Sequence, residues 1–236
     1  MIHVVGDSHV MLFTGQPLSP GKSFLLRVPE NYKPHGLSYD LYKDFVTYFC
    51  VLLRAYHTVP DTNNPQSGAF FKMVETLPVG STVLIVAGEI DCRGPVMNTA
   101  NRSGRSIPDV ATECAQRYLT GVRKVKEEMG MNPILYSPTP NQFTDQDVSK
   151  WLLLPSYLNS EAWCRNKELA VKVFDSVIKA SEFPVVSLVD WIFKEDIIYK
   201  RDYWCDQIHM SSLVWPQLKL EFSKAGVDLT ESFGNS

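Results

Sequence analysis

The run Ser81-Thr-Val-Leu-Ile-Val-Ala87 narrows the choice of fold more than any other stretch of this 236-residue chain. An unbroken apolar run of this length, bounded by turn residues, reads as a strand covered on both faces, which is the setting of a parallel sheet. It stops at Gly88 and delivers Glu89-Ile-Asp-Cys-Arg93. The N-terminus repeats the pattern: Met1-Ile-His-Val-Val reaches Gly6 and then presents Asp7, Ser8 and His9. Both glycines thus place polar side chains beyond the carboxyl end of a strand, the edge where open α/β sheets receive their ligands.

The rest of the chain alternates in the same manner. Strands are expected at 2–5, 82–87, 133–137 and 184–189, and the aromatic and β-branched stretch 38–56 finishes as a further core strand. Helices are expected at about 68–77, from Pro108 to about Met129, along Leu169 to Ile178, and from about Ser211 to Ala225 with a bend at Pro216. In the second of these, Val110, Cys114, Tyr118, Val122 and Val125 recur at helical spacing, Ser106 caps the start and Gly130 the end. Three excursions interrupt the alternation, at about 11–36 (with a strand at Phe24–Val28), 94–107 and 138–160. Strands alternating with helices predict an α/β fold, a three-layer α/β/α sandwich with a mostly parallel central sheet, formed by residues 1–236 as a single domain.

Composition removes several classes of function. A formal charge of -3 with pI near 6.0 leaves no general footprint for nucleic acid. Five cysteines without a C-x-x-C pair argue against a disulfide framework and against a cysteine-rich zinc site. The longest apolar run, Phe45 to Leu53, falls far short of the roughly 20 residues of a membrane span, and no signal peptide is recognisable. A cytoplasmic protein without cofactor or metal, acting on a small or uncharged partner, is the expectation.

Ser8 is the candidate nucleophile. A serine hydroxyl is weak at neutral pH and needs a base, which Asp206-Gln-Ile-His209 supplies as a carboxylate and an imidazole three residues apart. The two ends of the chain must meet for this to work. His9 reads as a neighbour only, and Cys92 as a packed thiol.

Gly6-Asp7-Ser8 after the first strand and Asp206-Gln-Ile-His209 before the last helix resemble the first and last blocks of the SGNH (GDSL-like) hydrolase superfamily, in an order that spans nearly the whole chain. The resemblance implies a serine esterase with a flavodoxin-like sheet, in which Ser8 is the nucleophile, His209 the base and Asp206 its partner. The block Gly-x-Asn-Asp, whose asparagine donates to the oxyanion, is replaced by Gly88-Glu-Ile-Asp91, and Ile90 cannot donate. The string Gly-Glu-Ile-Asp-Cys-Arg resembles a divergent branch of the superfamily. Loss of one oxyanion donor costs about 10²–10³ in turnover, so Arg93 and Asn141 become candidate donors beside the Ser8 N–H. Glu89 and Asp91 are further substrate-binding candidates. The second-block glycine has its nearest counterparts in Gly36 and Gly68.

The implied substrate is an acyl ester, including an O-acetyl group on a carbohydrate, with Trp151 as a stacking platform and hydrolysis or acyl transfer as the outcome. Two rivals remain. One is a non-catalytic carbohydrate-binding or scaffold protein on the same fold. The other takes Asp7 and His9 as the Asp-x-His opening of a metallophosphoesterase, although the remaining histidines lack the matching contexts.

Overall fold

The computed structural model describes residues 1–13, 45–50, 53–60, 64–140, 160–204 and 210–229. Five strands form one sheet: β1 (Ile2–Gly6), β2 (Phe45–Phe49), β3 (Thr82–Val86), β4 (Asn132–Tyr136) and β5 (Val185–Val186). Every pairing is parallel and the order is β2-β1-β3-β4-β5. The order reverses at β1, so the β1/β3 junction is the switch point of a doubly wound sheet.

Alternation along the strands sorts the core into two layers. Val5, Val83, Ile85 and Leu135 pack with helices α1 (Pro65–Glu75), α4 (Ile107–Glu127) and α5 (Ser160–Lys179) through Phe70, Val74, Tyr118, Val122, Phe174 and Ile178. Val4, Leu84, Val86, Ile134 and Tyr136 face the other way, onto helices α6 (Val189–Lys194) and α7 (Trp215–Lys224) and the 3-10 turn Ser8–Phe13. The expected α/β/α layering is therefore present.

Several boundaries differ from expectation for local reasons. Helix α1 begins at Pro65, three residues early, because the Asn64 side chain accepts from the N–H groups of Gln66 and Ser67 and proline suits the first turn. The stretch 94–107, expected as a loop, carries helix α3 (Pro95–Ser103), which follows the short helix α2 (Glu89–Arg93). Pro95 opens α3 rather than breaking it, and Val96, Met97 and Ala100 supply a narrow buried face. The strand expected at 184–189 is two residues long, because the chain turns into α6 at Val189. Pro216 does not bend the last helix; it lies in the first turn of α7, after a 3-10 turn at Ser212–Val214. Helix α4 has the anticipated Ser106 cap, with Ser106 Oγ accepting from the Asp109 N–H at 3.2 Å. The strand expected at Phe24–Val28 lies outside the described residues.

Candidate functional site

Gly6 ends β1 in close packing against β3. A Cβ here would overlap the Val86 carbonyl oxygen, so only glycine lets the two strands approach at this level. The Asp7 N–H continues the ladder by donating to Val86 O at 3.0 Å, and the Cys50 N–H donates to Gly6 O at 2.6 Å. The chain then leaves the sheet, and Ser8, half-buried, opens the 3-10 turn.

Asp7 holds that turn. Its carboxylate, 1 % exposed, accepts the His9 N–H at 2.9 Å through Oδ1, the capping role open to an aspartate at the start of a helical turn. The same oxygen lies 2.9 Å from His9 Nδ1, forming a buried pair. Burial lowers the imidazole pKa, but the charge and hydrogen bond of Asp7, with Glu89 behind them, outweigh burial and raise it overall, against a smaller opposing push from Arg93. His9 is thus more than a neighbour. The Asp-x-His that carries the metallophosphoesterase rival forms an internal pair through Asp7 Oδ1 and His9 Nδ1.

β3 supplies the second wall. Gly88 takes φ +112, a left-handed conformation, and turns the chain into α2. Glu89 is 3 % exposed and pairs with Arg93 Nε at 3.2 Å one helical turn on. With Asp7, His9, Val86, Ala87, Tyr136, Pro138 and Thr139 it lines a narrow notch, too tight to admit a water molecule, over the carboxyl ends of β1, β3 and β4. Asp7 Oδ2, Tyr136 OH, Ser137 Oγ and Thr139 Oγ1 are buried at this end of the sheet without a hydrogen-bond partner among the described residues. Buried polar atoms are normally satisfied, so this end of the sheet carries hydrogen-bonding capacity that the described residues do not use. Burial, and then the Asp7 charge, raise the Tyr136 phenol pKa and keep it a donor.

Asp91 points elsewhere. Its Oδ2 accepts the Ala55 N–H at 2.7 Å, fixing the 3-10 turn Ala55–His57. It lines a separate cavity with Arg54, Tyr56, His57, Thr99 and Glu113. Glu89 and Asp91, both expected beside Ser8, therefore stand in two different cavities with α2 between them. Burial pushes the Asp91 carboxyl up to about 6, opposed by the Ala55 and Tyr56 N–H groups and by Arg54.

Lys167 on α5 carried no expectation, yet it is 1 % exposed, with Nζ 5.1 Å from the Trp163 ring centre. Burial pulls its pKa down to about 8, and Glu89 is among the charges that resist the fall. The signal was present in the sequence: Trp163, Lys167, Ala170, Val171, Phe174 and Ile178 form one helical stripe, and Lys167 is its single charged member.

Asn141, Trp151, Asp206 and His209 lie outside the described residues. Their described flanks are informative. Trp204 and Met210 form an antiparallel bridge, and the Ser211 N–H donates to Tyr203 O at 2.8 Å. Both bridge residues are buried in the apolar cluster that contains Val10, Leu12 and Phe13 of the turn opened by Ser8.

No protein-family model and no curated protein matches the chain. Among solved structures, an acetyl xylan esterase aligns over 96% of this chain and 100% of its own, with a TM-score of 0.48 and 11% identity. At that identity the chemistry has to be read from this chain's own residues. No helix among the described residues is long and apolar enough to cross a membrane.

Proposed function

We propose that the protein is a serine hydrolase acting on ester bonds, with Ser8 as nucleophile, His209 as general base and Asp206 as the carboxylate that orients it. The observation that carries this reading is the placement of Ser8. It lies two residues past a strand end that only glycine can form, at the switch point of the sheet, at the end where buried polar atoms lack partners among the described residues. The shared apolar cluster adds support, because it ties the flanks of Asp206-Gln-Ile-His209 to the turn that carries Ser8.

In this mechanism Ser8 Oγ attacks the ester carbonyl while His209 takes its proton. His209 then protonates the departing alcohol, and water attacks the acyl-serine by the same route. The oxyanion needs donors. Glu89 and Asp91 are acceptors when ionised, so the Ser8 N–H with Arg93 or Asn141 are the proposed sources. The substrate class proposed is a short acyl group on a carbohydrate or a similarly polar alcohol.

A serine-directed fluorophosphonate, with the adduct located by mass spectrometry, tests the reading. Labelling of Ser8 that is lost in His209→Ala, together with aryl acetate hydrolysis lost in Ser8→Ala, is the expected result. A folded protein that neither labels nor hydrolyses esters would overturn it in favour of a binding protein. Hydrolysis that survives Ser8→Ala and disappears with a chelator would favour metal-dependent chemistry.

A further inference from the structure

Asp7, His9 and Glu89 are all buried, and all three line the notch at the carboxyl ends of β1 and β3, which is too narrow to admit a water molecule. Ionisable side chains so placed act on one another without solvent to screen them. Glu89, expected beside the substrate, has no room for one here. Its carboxylate is turned instead toward protein: Arg93 Nε stands 3.2 Å away, one turn further along α2.

Two carboxylates taken out of water need two cations close by. Arg93 answers Glu89, and the imidazole 2.9 Å from Asp7 answers the second once it is protonated. The charges that bear on His9 come from two elements. Burial lowers its pKa, whereas Asp7 on its own turn and Glu89 on α2 raise it and Arg93 lowers it. Tyr136, lining the notch from β4, is kept neutral by burial and then by the Asp7 charge, and Lys167 on α5 is linked to Glu89. The Asp7 oxygen in this bridge is the one that accepts the His9 N–H and so shapes the turn opened by Ser8. A charge-assisted bond holds that turn roughly twice as strongly as a neutral one.

We infer that Glu89 is a positioning residue for Ser8: across the closed notch it stabilises His9 as the imidazolium, and the resulting ion pair with Asp7 fixes the turn on which Ser8 stands. The effect on catalysis rests on the hydrolase reading; the coupling of Glu89 to His9 does not.

NMR titration of the imidazole signals of the full chain tests the coupling, with the His9 resonance assigned by its loss in His9→Asn. The His9 midpoint is expected to fall in Glu89→Gln and to stay in place in Glu182→Gln, which removes an exposed carboxylate paired with Arg123. If Glu89→Gln fails to fold, Glu89→Met, neutral and of similar length, decides. An unchanged midpoint in the neutral variant would overturn the inference whatever the activity. Aryl acetate kinetics on the same proteins test the consequence for Ser8. In Glu89→Gln, kcat is expected to fall roughly 10-fold to 100-fold with KM little changed, and the basic limb of the pH profile to move down together with the His9 midpoint. Glu89→Asp, which keeps the charge, should restore part of both. Turnover with wild-type kcat and pH profile in Glu89→Gln would overturn the positioning role. A shifted midpoint in a protein whose wild type hydrolyses no ester upholds the coupling and overturns the hydrolase instead.

Discussion

Asp7 Oδ1 and His9 Nδ1 stand 2.9 Å apart, both residues buried, at the point where β1 leaves the sheet. The same oxygen accepts the His9 N–H, so one carboxylate both shapes the turn that begins at Ser8 and supplies the counter-charge of the imidazole. Asp7→Ala removes the cap and the buried partner of the imidazole, a change expected to cost about 1–3 kcal/mol. Asp7→Asn keeps an acceptor and is expected to cost less. Urea unfolding of the two variants measures the difference, and ester turnover in Asp7→Asn reports whether the turn alone, without the charge, keeps Ser8 in position.

The pair also sets a pH dependence. The His9 pKa in the folded protein is raised above its ordinary value of 6.5. Its contribution is therefore complete below that value and is lost as pH rises through the folded pKa. Between pH 6 and pH 9 the wild type is expected to lose stability relative to His9→Asn, which keeps an N–H donor but does not titrate. Denaturant midpoints of both proteins across this range give the comparison, and a gap that widens with pH would contradict the assignment of His9 as the titrating group.

Gly88 sits between two constraints. Its φ of +112 disfavours any side chain, and an added Cβ would lie 3.1 Å from the buried Phe174 ring. Gly104 shares the left-handed backbone, at φ +67, but nothing lies within 4 Å of its Cβ position. Gly88→Ala should cost about 1–3 kcal/mol and Gly104→Ala about 1 kcal/mol, the excess reporting the Phe174 contact together with a φ that lies further outside the left-handed well. Thermal melting ranks the two. Only Gly88→Ala should also reduce ester turnover, because Gly88 aims the helix that carries Glu89.

How much of this was legible follows from what each element buries. β1, β3 and β4 are covered on both faces, so their residues have to be apolar and the runs announce themselves. Helix α4 reads clearly because its stripe is long. Helix α3 does not, since Val96, Met97 and Ala100 suffice for its buried face and the sequence around them is that of a polar loop. β5 was overestimated because its apolar residues continue into α6 and serve a helix instead. At the site, Gly-Asp-Ser located the turn, whereas the split of Glu89 and Asp91 between two cavities depends on the helical path of residues 89–93, which the polar residues after Gly88 do not announce.

Lys167 makes the final case. A lysine on the apolar stripe of α5 raises the cost of folding, since burial pulls its pKa from 10.5 down to about 8. The unfolded chain binds the proton more tightly between these values, so stability rises with pH through this window, and the penalty is largest at neutral pH and below. Lys167→Met, close in volume and able to keep the packing with Trp163, should therefore stabilise the protein by about 1–3 kcal/mol at pH 7. The gain should shrink toward pH 10. A residue retained only for packing would show that gain and unchanged chemistry. If its charge serves the site through Glu89, Lys167→Met should be more stable and slower at once, with the loss in kcat/KM toward esters greatest below pH 8, where the wild-type amine is charged. Unfolding curves and pH-rate profiles of the two proteins, measured together, distinguish these outcomes.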